Sequence, residues 1–390
     1  MNVTPRAARW LTVALAAGLA TTAAHAYDGI VKKEVFTLPS FTTASGKTIR
    51  NVRVGYETYG KLNAARDNVI VISHYITGTS HAAGRYTPED KALGYWDPII
   101  GAGRAIDTDR FFVISTDTLV NLNTKDTHVT TTGPATINPD TGNPWGPAFP
   151  VVGIRDFVRV QKALLDSLGI RKIYAVAGAS MGASQSVEWS AAYPEMVERV
   201  VAVISPGLEM DAYPIGILNV WGLPITMDPR WNRGDYYDKE EPLEGLAQAL
   251  KMVMLMASGS GALDRQFSRQ WAVAGQDPLQ GKSYAIEEQL YETGVSRTAT
   301  ADANHFLYLA KANQTFSVMD RVKSIRAKFL FVPAKTDLLF PPSMSEKAAA
   351  TLRAQGNQAD VFVIDGDNGH YDGLFQVSKA DKAIRGFLAK

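Results

Sequence analysis

The sequence predicts an α/β fold: a mostly parallel central sheet flanked by helices, with a helical cap inserted before the last strands. Three observations carry this. Short runs rich in β-branched and aromatic residues alternate with helical stretches in both the first and last thirds of the chain. Between Pro206 and about Val322 that alternation gives way to helical segments broken by loops. And Val176-Ala177-Gly178-Ala179-Ser180-Met181-Gly182 joins a strand to a helix-compatible run that stops at Pro194.

The elements follow in order. Arg6 and Arg9 precede an apolar run, 10–24, interrupted only by Thr12, Thr21 and Thr22, and Ala24-His25-Ala26 has the small-x-small form of a cleavage site. This is the pattern of a secretory signal peptide, 1–26, cut after Ala26. Its ~15 residues fall short of the roughly 20 that span a bilayer. The expectation is a periplasmic or secreted protein starting at Tyr27, with no membrane attachment after processing. Residues 52–56, 69–73 and 111–115 read as early strands, and 116–150, rich in Thr, Asn, Gly and Pro without a period, as a long loop. The run 155–168 places Phe157, Val158, Val160, Leu164, Leu165 and Leu168 on a helical face, with Gly169 just past its end. Strands at 172–176 and 200–204 flank the serine turn and its helix. Residues 27–205 thus form the first part of the core and 206–322 the cap, with helices at 246–256 and 304–312. The second part, 323–390, contains strands at 328–333 and 360–364.

Composition narrows the function. The chain has 390 residues, 46% hydrophobic, enough for a large core. Lys plus Arg is 40 against 39 Asp plus Glu, so charge gives no nucleic-acid partner. With no cysteine, disulfides, thiolate metal sites and a cysteine nucleophile are excluded.

A serine between a strand and a helix sits on a tight turn with its hydroxyl presented, and the helix N-terminus offers unpaired N–H groups to a developing anion. Ser180 is therefore the candidate nucleophile. Serine needs a base, and at such an elbow the partners follow in the order Ser, Asp or Glu, His. Of the six histidines only His370 lies near the C-terminus, after the 360–364 strand. The acid belongs after the preceding strand, where Ala334-Lys335-Thr336-Asp337 supplies Asp337. Asp365 and Asp367 share the histidine's loop and read as turn residues. His74 and His81 lack a nearby third ligand and read as structural loop residues. No metal and no cofactor are called for.

Much of the chain also resembles the homoserine O-acetyltransferase family of α/β-hydrolases. The similar stretches are His74-Tyr75-Ile76-Thr77-Gly78-Thr79-Ser80-His81, Gly94-Tyr95-Trp96-Asp97, Ala105-Ile106-Asp107-Thr108-Asp109-Arg110 and the elbow, 178–189. Further on come Asp228-Pro229-Arg230-Trp231 with Gly234-Asp235-Tyr236-Tyr237, and Thr336-Asp337-Leu338-Leu339-Phe340-Pro341-Pro342. The resemblance implies the α/β-hydrolase fold, the triad Ser180, Asp337 and His370, and an oxyanion hole from the backbone N–H groups of Ile76 and Met181. It also carries the expectation of a homodimer.

Departures from the family pattern cluster at the acceptor site. Family acyltransferases have a cap arginine for the amino-acid carboxylate where this chain has Gly222, in Trp221-Gly222-Leu223. They have an aspartate after the triad histidine, associated with the substrate amine, where this chain has Tyr371 followed by Asp372. A Gly-rich family segment is replaced by 121–132. Trp221, Gly222 and Tyr371 are thus the candidate substrate-binding residues. The expected function is an exported serine hydrolase acting on an ester or similar small acyl compound. An O-acyltransferase using the same triad is the alternative, and a non-catalytic binding protein is the remaining one.

Overall fold

The computed structural model describes residues 29–273, 275 and 283–389. The leader pattern lies outside the described residues. An eight-stranded sheet is built from β1 (Glu34–Thr42), β2 (Thr48–Tyr59), β3 (Val69–Ser73), β6 (Phe112–Thr116), β7 (Ala175–Ala179), β8 (Arg199–Val203), β9 (Lys328–Val332) and β10 (Ala359–Val361). Their order across the sheet is β1-β2-β6-β3-β7-β8-β9-β10; β4 (Ile100–Gly101) and β5 (Ile106–Asp107) form a separate parallel pair. The β1–β2 and β2–β6 joins are antiparallel, and every join from β6 to β10 is parallel.

The central strands read as continuous apolar runs because both sheet faces are covered. Along β3, Val69 and Val71 enter one core while Ile70 and Ile72 enter the other. In β8, Val200 and Ala202 divide from Val201 and Val203 in the same way. Helices α1 (Ile154–Ser167) and α2 (Met181–Ala192) contribute Phe157, Leu164, Val187 and Trp189 to the first core.

Two departures from the sequence reading stand out among the strands. The strand before the serine begins three residues later than propensity suggests, at Ala175, and runs through Gly178 to Ala179. Ile173 makes only an isolated bridge with Val197, so the small residues, not the bulky ones, lie at the sheet's centre. Strand β1 carried no sequence expectation. It is an edge strand, largely exposed, and Pro39 is tolerated there because its missing N–H is not needed for pairing.

Between β8 and β9 come α3 (Ala212–Met227), α4 (Leu243–Ala257), α5 (Ser260–Phe267), α6 (Ala285–Arg297) and α7 (Ala303–Gln314). Helix α3 packs on α4 and α7, and α4 on α6. Residues of α3, α4 and α7 lie over the end of the sheet where β7 delivers Ser180. After β9 follow α8 (Pro342–Ala354), α9 (Asp372–Phe375) and α10 (Asp381–Ala389).

Two buried charge networks brace this framework. Glu188 of α2, 1% exposed, receives a two-pronged hydrogen bond from Arg321 at 2.7 and 3.0 Å, tying the helix behind the serine to the segment entering β9. Glu57 of β2, fully buried, meets Lys33 at 2.9 Å and His81 at 3.1 Å and accepts from the hydroxyls of Tyr59 and Tyr86, both at 2.8 Å. Burial alone would raise the Glu57 carboxyl above its usual 4.5, but the His81 hydrogen bond and the Lys33 charge outweigh it and bring it to about 2. Beside it, Asp117 accepts the Ser80 N–H at 2.8 Å and holds the loop that leaves β3.

Removing Arg321 would strand a buried carboxylate, so Arg321→Ala should lose about 3–5 kcal/mol in denaturant unfolding, while Glu188→Gln, which retains an acceptor, should lose less. The lowered Glu57 value has a definite sign. The unfolded chain binds the proton more readily, so the carboxylate stabilises the fold above pH 4.5 and that stability is lost as pH falls from 4.5 toward 2. Glu57→Gln should therefore be less stable at neutral pH, with a flatter stability profile across that window in pH-dependent melting curves.

Candidate active site

Ser180 stands between β7 and α2 with φ 58° and ψ −119°, a conformation that side chains rarely adopt. Its N–H donates to the Val203 carbonyl at 3.0 Å, which ties the turn to β8. The two flanking glycines are required sterically. A Cβ on Gly178 would collide with the Gly182 carbonyl, and one on Gly182 with the Ser73 carbonyl at the end of β3. Met181 opens α2, so its backbone N–H has no acceptor within the helix, and its side chain is buried in the core.

His370 lies in a 3-10 turn, Gly369–Tyr371, and is 5% exposed. Its Nδ1 is 2.7 Å from Oδ2 of Asp337, and Phe340 meets its ring edge-on. The other Asp337 oxygen, Oδ1, accepts the N–H groups of Leu339 at 2.8 Å and Phe340 at 3.0 Å, fixing the carboxylate's orientation. The histidine is brought to Asp337 and not to its loop neighbours. Asp365 pairs with Lys335 and Asp367 with Arg265 at the surface.

The loop after β3 brings Ile76 to the wall shared by Ser180 and His370. It turns at Tyr75 to Gly78, where the Gly78 N–H donates to the Tyr75 carbonyl at 2.9 Å. His74 anchors it. Its Nδ1 donates to the Tyr75 carbonyl at 2.8 Å, and its Nε2 accepts from Asn121 at 3.1 Å. Burial lowers the His74 ring to about 4, so it is a neutral structural group. Asn121 also donates to the Gly78 carbonyl, Asn123 to that of Thr77, and the guanidinium of Arg297 reaches Thr77 from the cap at 3.2 Å. These three residues were not foreseen. They lie 43 or more positions from the carbonyls they hold, and no motif spacing marks them.

A narrow cavity of about 60 Å³ opens over Ser180. Ile217, Leu218 and Trp221 of α3, Val253 and Ala257 of α4, and Leu339 and Phe340 of the acid loop form its apolar walls. The Trp221 indole N–H is turned toward the Met256 sulfur at 3.0 Å. Trp221 and Tyr371 both line this cavity with Ser180 and His370. Gly222 does not: it is absent from the lining, and a Cβ there would come within 3.0 Å of Leu307 Cδ2 on α7. Its assignment as a substrate-binding residue is corrected on that ground, since successive positions on a helix point about 100° apart. Among the described residues no Asp, Glu, Lys or Arg lines the cavity. Asp372, the acid nearest the position that Tyr371 takes, is fully buried and turned away, its oxygens accepting from the N–H of Asn368 at 3.0 Å and its amide at 2.7 Å. Arg230 is held by Asp228 and Glu240.

Comparison with known proteins matches this architecture. The alpha/beta hydrolase fold family model covers residues 88–376. A homoserine O-acetyltransferase of Methanococcoides burtonii is 36% identical over 92% of this chain and 74% of its own length. Among solved structures, esterase E22 is 47% identical with a TM-score of 0.88, covering 92% of this chain and all of that one. The homoserine O-acetyltransferase from Bacillus anthracis is 36% identical at a TM-score of 0.88, covering 93% of this chain and 98% of its own. With the elbow, the sheet order and these relatives in agreement, the chain belongs to the α/β-hydrolase family, in its homoserine O-acetyltransferase-like branch, whose members here include both acyltransferases and an esterase.

Proposed function

We propose that the chain is a serine hydrolase that cleaves small esters through Ser180, His370 and Asp337. The observation that carries this is the lining of the cavity. It joins Ser180 and His370 to apolar walls and, among the described residues, has no Asp, Glu, Lys or Arg in its lining for a zwitterionic acceptor. The higher identity to esterase E22 than to the acyltransferases supports the same reading. At about 10–15 Å³ per water-sized group, 60 Å³ accommodates a short acyl chain.

In this mechanism the Asp337 carboxylate fixes His370 with its proton on Nδ1, leaving Nε2 to take the Ser180 proton. Ser180 Oγ attacks the ester carbonyl, and the backbone N–H groups of Ile76 and Met181 receive the developing oxyanion. His370 then protonates the leaving alcohol. A water, deprotonated by the same nitrogen, releases the acid from the acyl-enzyme. An alcohol in place of that water gives acyl transfer, the second reading, which the named acyltransferase relatives favour. The leader pattern adds the proposal that the enzyme works outside the cytoplasm, away from acyl-CoA donors.

Ser180→Ala should abolish turnover of p-nitrophenyl acetate while shifting the melting temperature little. Asp337→Asn should fall by about 10²–10⁴ in kcat, because the wrong histidine tautomer is then favoured. Retention of most activity by the alanine variant removes Ser180 from the mechanism. Purified protein should also show a kcat/KM for short p-nitrophenyl esters well above that for acetyl transfer from acetyl-CoA to homoserine. Efficient O-acetylhomoserine formation would select the transferase reading instead.

A further inference from the structure

The loop after β3 presents an unpaired donor. Ile76 lines the cavity with Ser180, and among the described residues its backbone N–H has no hydrogen-bond acceptor. The direction of that N–H depends on the residue before it. In a trans peptide the carbonyl and the following N–H share one plane and point opposite ways, and the Tyr75–Ile76 peptide is trans. The Tyr75 carbonyl accepts from His74 Nδ1 at 2.8 Å and from the Gly78 N–H at 2.9 Å. His74 is fully buried and does not line the cavity, so it draws the carbonyl away from that space. The Ile76 N–H is thereby turned toward it.

A neutral His74 can hold that carbonyl only with its proton on Nδ1, and which nitrogen carries the proton depends on what the other one meets. Asn121 Nδ2 lies 3.1 Å from His74 Nε2 and 3.1 Å from the Gly78 carbonyl. Its Oδ1 accepts the backbone N–H of Asn123 at 3.0 Å. A backbone N–H can only donate, so the Asn121 amide cannot be reversed, and the atom facing His74 is its nitrogen. Nε2 is therefore the acceptor and Nδ1 bears the proton. Both side chains are fully buried, which keeps water from offering the ring another partner. The segment 121–132, where the sequence departs from the family pattern, thus reaches the site through its first side chain. Met181 needs no such device. The Ser180 carbonyl accepts from the N–H groups of Ala183 at 2.9 Å and Ser184 at 3.2 Å, which points the Met181 N–H out of the start of α2.

We propose that His74 and Asn121 are positioning residues for the oxyanion hole: Asn121 fixes the Nδ1–H tautomer of His74, and that N–H aims the Ile76 donor at the reacting carbonyl oxygen. The inference rests on the reading of Ser180 as nucleophile. It holds for hydrolysis and acyl transfer alike, since both pass through the same oxyanion. Neither side chain lines the cavity, so neither contributes to holding the ester in its ground state. Their effect falls on the steps that build negative charge on the carbonyl oxygen, acylation and deacylation.

The test pairs two substitutions. Asparagine at position 74 puts an amide N–H near the place of Nδ1, whereas leucine has no donor. His74→Leu should lower kcat for p-nitrophenyl acetate by about 10–10²-fold with KM little changed, less than the ~10²–10³ for a whole donor because the Gly78 N–H still holds the carbonyl. His74→Asn should recover most of that loss, and Asn121→Leu should fall between the two. Affinity for a short trifluoromethyl ketone, which binds as an oxyanion adduct of Ser180, should weaken in proportion to kcat/KM across the series. Equal losses in His74→Asn and His74→Leu, or a loss confined to KM, would reduce both residues to supports of the fold and overturn the proposal. In wild-type protein, nitrogen NMR of the His74 ring, assigned through its own backbone, should show a protonated Nδ1 and a bare Nε2. The reverse tautomer or an imidazolium at neutral pH overturns the proposal whether or not the variants fold. Ketone binding also separates the two readings. If the ketone binds wild type and not Ser180→Ala while no ester is hydrolysed, the hydrolase reading fails and the ketone series still decides the role of His74. Absence of Ser180-dependent ketone binding would overturn both.

Discussion

The close approach of α2 to the ends of β3 and β7 is the constraint on which the site depends. Helix and strands come so near at Gly182 that no side chain fits between that residue and the Ser73 carbonyl, and Gly178 is equally confined. The same contact that forces Ser180 into a positive φ places it beside the loop leaving β3, which carries Ile76. Nucleophile and candidate oxyanion donor are therefore set by one packing distance. The strain at Ser180 is tolerated because neighbouring strands hold the turn in place, as the Ser180 to Val203 hydrogen bond shows.

Charge is sorted around this contact. Ion pairs and buried carboxylates lie behind the site, at Glu188 with Arg321 and at Glu57 with Lys33 and His81, where they fix elements relative to one another. The histidines that hold the loops are kept neutral by burial: His74 beneath the Tyr75 turn, and His305, whose Nδ1 donates to the Asn121 carbonyl at 2.7 Å. The cavity itself is apolar. A low-polarity wall strengthens the few dipoles aimed at the reacting carbonyl, since little competing water surrounds them.

Divergence within the family is local. The backbone superimposes equally well on an esterase and an acyltransferase, so the fold by itself does not select between water and an alcohol as acceptor. The groups that would select are few. Asp372 is spent on the turn at Asn368, Gly222 faces α7, and the cavity is bounded there by Tyr371 and Trp221.

The sequence by itself determined the parallel sheet, the helical insertion, the elbow and the order of Ser180, Asp337 and His370, because each is written in local periodicity or in residues adjacent along the chain. Strand β3 was legible to the residue, since a fully buried strand is a continuous apolar run. Strand β7 was displaced because the centre of the sheet at the elbow needs small residues, against β propensity. What only the tertiary structure decided are relations across long separations. The approach of Asp337 to His370, 33 positions apart, came to 2.7 Å, and the direction of Gly222 became a matter of helix rotation. The joining of Arg297 to Thr77 spans 220 positions, and Asn121 and His74 meet across 47. Such contacts arise from where packed elements come to rest, and neither composition nor spacing along the chain encodes that directly.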